Sequence, residues 1–116
     1  MNHESLRNYC LSKPHATEHF PFDDVSLVFK VGGKMFALLP LDVAPMISLK
    51  CDPELAIELR ETYPAVQPAF HFNKKHWNQI VMDGSITERQ VHEWIDLSYN
   101  LVYKSLSRKV KEELEA

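Results

Sequence analysis

Glycine is scarce: the chain has three, and two of them are adjacent at Gly32-Gly33. No Gly-rich phosphate loop or nucleophile elbow is present, which removes the commonest nucleotide-hydrolysing and acyl-transfer motifs. Cysteine is scarcer still. Cys10 and Cys51 stand at no metal-ligand spacing, no zinc signature is present, and in a reducing compartment both read as free, small, buried side chains. Cys51 precedes a helix start, where the dipole lowers a thiol pKa, but Asp52 beside it opposes that effect, so an inert thiol is expected. No apolar run approaches membrane-spanning length, and Met1-Asn2-His3-Glu4 lacks the basic-then-apolar opening of a signal peptide; a cytoplasmic protein with no membrane partner is expected. Positive charge is also short, with Lys+Arg 13 against Asp+Glu 16 and a net charge of −3. A whole-molecule attraction to nucleic acid is therefore absent, and such binding would need a local basic face. His15 and His19 lie four apart, but on a Pro-flanked extended arm rather than a helix, so no metal site is expected. The reading is a non-enzymatic chain without a cofactor, with a monomer marginally favoured.

What remains is ordinary globular material. The 116 residues, 45% hydrophobic and 25% charged, suit one domain spanning residues 1–116 with a core of its own. Asn2 caps a first helix with Leu6, Tyr9 and Cys10 inside, ended by Lys13-Pro14. Residues 16–22 form an edge strand or extended arm, and Asp23-Asp24 a turn. Ser26–Val31 and Lys34–Leu39 are strands joined by a two-residue turn at Gly32-Gly33. Met46–Cys51 is the next strand. Asp52-Pro53 opens a helix to about Thr62, and Pro64 stops it. Residues 65–69, held between Pro64 and Pro68, read as a loop. Thr87 and Gln90 predict a capping box, with Ile86 and Val91 as a hydrophobic staple, for a helix through Leu106. Its inner stripe is predicted as Val91, Trp94, Ile95, Leu101, Val102 and Leu106, with Ser98 and Ser105 along it. Residues 107–116 prolong that helix or fray. The order predicts an α+β, two-layer sandwich: a largely antiparallel sheet with helices on one face.

One stretch concentrates chemistry. Phe70 to Met82 reads as a hairpin whose four-residue turn is Asn73-Lys74-Lys75-His76, with Trp77, Gln79 and Val81 on one side of the return strand and Asn78 and Ile80 on the other. Trp77 is either a core residue or an exposed stacking platform. Lys30, Lys34 and Lys50 lie on or beside strands, and Lys74 and Lys75 stand at the hairpin tip with His71 and His76 nearby. Lysines supply phosphate charge, Asn73 and Asn78 can hydrogen-bond, and an exposed Trp77 could stack on bases. The candidate nucleic-acid contacts are therefore Lys30, Lys34, Lys50, His71, Asn73, Lys74, Lys75, His76 and Trp77. Sparse strand lysines also serve as ordinary edge protection.

Five segments carry a resemblance: Phe22; Val28-Phe29-Lys30-Val31 with Gly33-Lys34-Met35-Phe36-Ala37; Leu49-Lys50-Cys51-Asp52-Pro53-Glu54; Phe72-Asn73-Lys74-Lys75-His76-Trp77-Asn78; and Ser98-Tyr99-Asn100-Leu101-Val102. Over nearly the whole chain it resembles the MmcQ/YjbR family. That resemblance implies a CyaY-like (frataxin-like) α+β fold and DNA as the partner, bound through a double wing. The wings would be the Gly32-Gly33 hairpin and the hairpin around Lys74-Lys75. The frataxin iron role does not follow, because the first helix offers only Glu4. The leading expectation is weak, largely sequence-independent DNA binding. The alternative is a small protein- or ligand-interaction module using the same Lys/His/Trp surface, and a distant third is an enzyme with His71 or His76 as base.

Overall fold

The computed structural model describes residues 1–69 and 72–116. The elements follow local signals closely. In α1 (His3–Leu11), the Asn2 side chain accepts from the Ser5 amide while the Ser5 hydroxyl accepts from the Asn2 amide, a full capping box. In α2 (Pro53–Thr62), Asp52 caps Leu55 and Pro53 occupies the first turn, where its missing N–H costs nothing. In α3 (Glu88–Ser105), Thr87 caps Gln90, but the Gln90 carboxamide turns to Glu93 instead of closing the predicted box. Extended backbone at Leu106 ends α3, and Ser107 caps a separate α4 (Arg108–Glu115), so the C-terminal residues neither prolong α3 nor fray.

The strands are β1 (Thr17–His19), β2 (Ser26–Val31), β3 (Lys34–Pro40), β4 (Met46–Lys50), β5 (Val66–Pro68) and β6 (Trp77–Val81). They form one antiparallel sheet in the order β1-β2-β3-β4-β6-β5. The predicted loop at 65–69 is in fact the edge strand β5. Pro68 is tolerated there because an edge strand has a side with no ladder to feed. The predicted hairpin arm starting at Phe70 is thus displaced: the partner of β6 is Val66–Pro68, and Phe70 and His71 lie outside the described residues.

The helices lie against one face. α3 crosses β2, β3 and β4, α1 lies on β3, and α2 on β5 and β6. Leu27, Phe29, Val31, Leu39, Ile47, Leu49, Val66 and Ile80 meet Val91, Trp94, Ile95, Tyr99 and Val102 in this layer. Leu101, assigned to the inner stripe, is 37% exposed, and Ser105 is exposed too; Ser98 is buried where the stripe placed it, and Tyr99 joins it. Phe36 is the extra residue of a β-bulge, since Phe29 pairs with Ala37 but Lys30 pairs with Met35. Beyond the bulge the β3–β4 register pairs stop at Ala37 and Leu49. The fully buried Ser98 hydroxyl fills that gap, donating to the Phe36 carbonyl at 2.6 Å and accepting from the Lys50 amide at 2.9 Å. Gly32 (φ +58°) and Gly33 (φ +81°) make the predicted two-residue turn, a geometry that favours glycine.

Candidate functional site

Among the described residues, no helix is packed on the other face of the sheet. Antiparallel pairing and side-chain alternation place His19, Val28, Leu38, Ser48, Gln79 and Gln67 in one row across it. The next row, toward the Gly32-Gly33 end, holds Thr17, Lys30 and Met35, then Lys50 opposite Trp77. Val28 is 0% and Trp77 8% exposed although no helix covers them. Irregular segments wall this face instead. Phe22, Val43 and Phe72 border a cavity of about 550 Å³ floored by Leu38, Ser48 and Gln79. A second cavity of about 610 Å³ adjoins it, sharing Phe22 and bordered by Lys30, Lys34, Lys50 and Trp77. Phe72 stacks on Trp77 at 4.5 Å between ring centroids, 24° from parallel, so the two residues form the partition between the cavities. Trp77 is therefore a shielded residue of the open face, neither a member of the helix-side core nor a bare platform.

The 72–76 loop is fastened from two sides. The Asn73 side chain accepts from the Lys75 amide at 2.9 Å, and its carbonyl accepts from the amides of His76 and Trp77. That Asx turn uses the Asn73 side chain as structure rather than leaving it for a ligand. The His76 carbonyl accepts from the Cys51 amide at 2.7 Å. From α2, Arg60 donates to the Lys74 carbonyl at 2.8 Å and to the Asn78 side-chain oxygen at 3.0 Å. Asn78 in turn donates to the Ala56 carbonyl at 3.1 Å and is buried, so it is an internal brace rather than a ligand contact. On the opposite rim the Asp23 carboxylate accepts from the Val25 and Ser26 amides and the Ser26 hydroxyl, which fixes the segment carrying Phe22.

Most of the lysines gather at one end. Lys30 and Lys50 share the row beside Trp77, and Lys74 and Lys75 are exposed on the neighbouring loop. Lys34 borders the same cavity, but its ammonium donates to the Ser105 carbonyl at the C-terminus of α3, where the helix dipole favours a cation. His76 stands apart, bordering a cavity of about 280 Å³ with Lys50, Cys51 and Asp52. His71 lies outside the described residues. Among the described residues, none of these five lysines is ion-paired with a carboxylate, whereas Arg7, Lys13, Arg89 and Arg108 are. The strand directions put Asp23, Asp42 and Asp83 at the far end of the sheet. Hydrogen bonds from Ser85 hold the Asp83 carboxyl below the usual range, so it stays anionic. Along its strands the open face thus carries its lysines toward one end, with Asp52 close to Lys50, and Asp23, Asp42 and Asp83 toward the other.

Other sequence candidates separate. His19 bonds Thr17 at 2.7 Å, while His15, with φ +62°, lies 3.9 Å from Glu115, so the two do not converge. Among the described residues no group of three or more His, Cys, Asp or Glu side chains could hold a metal. Burial pushes the Cys10 thiol up to about 12. Burial, followed by the Asp52 charge, pushes Cys51 up to about 11 despite the nearby Arg60. Both are thiols, not thiolates, at neutral pH. No described helix is long and apolar enough to cross a membrane. Phe22, Phe72, Ser48, Gln79 and Arg60 are site-forming residues that the sequence reading did not select. Gln79 carried a signal through its alternation with Trp77, and Phe22 and Phe72 stood among the residues of the family resemblance without being assigned a role.

A six-stranded antiparallel sheet with helices on one face and a walled, charge-polarised basin on the other defines an α+β protein with an open-face site. The chain belongs to the YjbR family, whose model matches residues 11–101. It is 36% identical to YjbR of Escherichia coli K12 over 100 residues, which cover 85% of each chain. It is 35% identical to YbdF of Escherichia coli O157:H7 over 108 residues, 92% of this chain and 88% of that one. The crystal structure of a Deinococcus radiodurans protein with a DUF419 domain superposes with a TM-score of 0.89 at 39% identity, covering 97% of this chain and 86% of that chain. A Pseudomonas syringae protein superposes with a TM-score of 0.76 at 27% identity, covering 88% and 99%.

Proposed function

We propose that this chain is a non-enzymatic nucleic-acid-binding protein that holds phosphate backbones weakly, with little regard to sequence, at the basic end of its open face. The observation that carries the reading is the gathering of Lys30, Lys50, Lys74 and Lys75 at one end, free of carboxylate partners among the described residues and opposite an acidic end. Unpaired ammonium groups release counterions when they meet phosphate, which is the source of sequence-independent affinity. The protonated thiols support a binding role over a covalent one.

The test is a fluorescence-anisotropy titration against duplex DNA, single-stranded DNA and RNA at two salt concentrations. Affinity should fall in the non-specific range of about 10⁻⁴–10⁻⁶ M, with a salt slope near −0.9 per phosphate contacted. Lys74→Glu with Lys75→Glu should weaken binding to all sequences alike, because phosphate contacts carry no base information. Thermal stability should change by less than about 0.5 kcal/mol, since both side chains are exposed. Absence of binding at low salt refutes the reading. It would favour instead a small-ligand or protein module on the same surface, which the basin of about 550 Å³ also suits.

A further inference from the structure

Phosphate binding accounts for the lysines but leaves the basin beside them without a role. We infer that the basin receives one unpaired nucleobase, whose phosphate lies toward Lys30 and Lys50, so that the protein selects unpaired over paired nucleic acid. This rests on the reading above and gives it a substrate class.

Three observations converge. The first is size. A cavity of about 550 Å³ lies within the range of roughly 300–1,000 Å³ typical of small-ligand sites. The second is the chemistry of its surface. Phe22, which borders the cavity, is 62% exposed, a large cost for an aromatic ring unless something covers it, and Phe72 borders the cavity too with one face already stacked on Trp77. The floor is polar at two points, Ser48 and Gln79, each only 6% exposed. The Gln79 amide donates to Gln67 at 3.1 Å, but among the described residues its carbonyl oxygen and the Ser48 hydroxyl have no hydrogen-bond partner. Both atoms stand open at the cavity surface, where the edge of an entering ligand could pair with them. A flat, polar-edged ring matches this surface. Its faces meet phenyl rings, and its edge meets a carbonyl, an amide and a hydroxyl, groups that pair with base edges.

The third observation is charge. Asp23 and Asp42 border the basin on the side away from the lysines, so an anionic group is repelled there and drawn to the other end. The cavity beside the lysines shares the Phe22 wall, and Phe72 rests on the Trp77 ring that borders it. The ligand is thereby oriented, base in the basin and phosphate at the ammonium groups. A base inside a duplex is stacked and paired, and its ring faces cannot reach such a basin.

The experiment titrates wild-type protein with a labelled single strand, the same strand with abasic sugars, the matched duplex and a free nucleoside monophosphate, then repeats the series with Phe22→Ala. The exposure of Phe22 makes that variant safe for folding, and its melting temperature verifies this. The base-bearing strand should bind at least about fivefold tighter than the abasic strand and the duplex, a typical effect of one aromatic–base stack. Phe22→Ala should erase that difference while leaving the abasic affinity unchanged. If base-bearing and abasic strands bind wild-type protein alike, the inference falls while salt-dependent phosphate binding stands. If the monophosphate binds in a Phe22-dependent way but no strand does, the basin assignment holds and the nucleic-acid reading fails. If nothing binds, both fail.

Discussion

Ser98→Ala is the substitution whose cost follows most directly from the geometry. The hydroxyl is fully buried and closes the gap that the Phe36 bulge opens between β3 and β4. Removing one oxygen leaves little void, so the cavity contribution is small. The loss falls on two backbone groups, the Phe36 carbonyl that accepted at 2.6 Å and the Lys50 amide that donated at 2.9 Å. Leaving one buried group unsatisfied costs about 1–3 kcal/mol, so two neighbouring ones, with some local relaxation, should total roughly 2–4 kcal/mol. For a domain of this length that lowers the melting temperature by roughly 8–16 °C. Urea unfolding is the assay, with the midpoint falling at an unchanged m-value. Amide exchange at Lys50 should accelerate in the same variant. Ser105→Ala is the control: that residue is exposed and its hydroxyl bonds only the Val102 carbonyl. A Ser98→Ala midpoint indistinguishable from that of Ser105→Ala would refute the reasoning.

Gly32→Ala should destabilise by about 2–4 kcal/mol, adding left-handed backbone strain to overpacking, because a Cβ there would stand 2.6 Å from a Leu106 methyl. Gly33→Ala meets open space and should cost only the strain, about 1–2 kcal/mol, so equal midpoints for the two would contradict the packing. Trp94→Ala should cost about 3–5 kcal/mol, whereas Leu101→Ala, on a half-open site, should cost well under the 2–5 kcal/mol of a buried leucine; the order of their denaturation midpoints decides. The two thiols have folded pKa values raised above the ordinary cysteine value of 9.0. Their contribution to stability is therefore complete below pH 9 and is lost as pH rises toward about 11–12. Iodoacetamide should accordingly modify the buried Cys10 of native protein at pH 8 far more slowly than that of urea-unfolded protein, with the half-buried Cys51 protected less, and equal rates at Cys10 would refute its burial.

Legibility in the sequence tracked the range of the interaction. Asp52-Pro53 and Asn2 fix helix starts through atoms two or three residues away, so α1 and α2 were readable from their own residues. The Gly32-Gly33 turn sets its own register, which is why β2 and β3 were equally plain. β5 was hidden because Pro64 and Pro68 mimic a loop and because the arm of its hairpin with β6 was placed too late in the chain, from Phe70. Leu101 misled because a leucine outranks a serine in any hydrophobic stripe. Helical spacing did put Ser98 on the inner side, but the task of its hydroxyl is set by a bulge on another element, which no helical period contains. In the candidate site, the gathering of Lys30 and Lys50 beside Trp77 follows from strand pairing and was half visible. The walls were not, since Phe22 and Phe72 come from irregular segments whose paths depend on the Asp23 cap and on Arg60.

The order of strands also dictates an order of events during folding. β2, β3 and β4 are neighbours both in sequence and in space, so their pairing closes only short loops. β6 must find β4 across the whole of α2 and β5, and β5 touches the sheet only through β6. The last segment to dock thus carries Gln79, Trp77 and the loop with Phe72, while Leu38, Ser48, Lys30 and Lys50 are already in place. The basin is the seam between an early half and a late half of the molecule. Anything held there touches both halves, and would act as a latch on the cooperative unit that opens most easily.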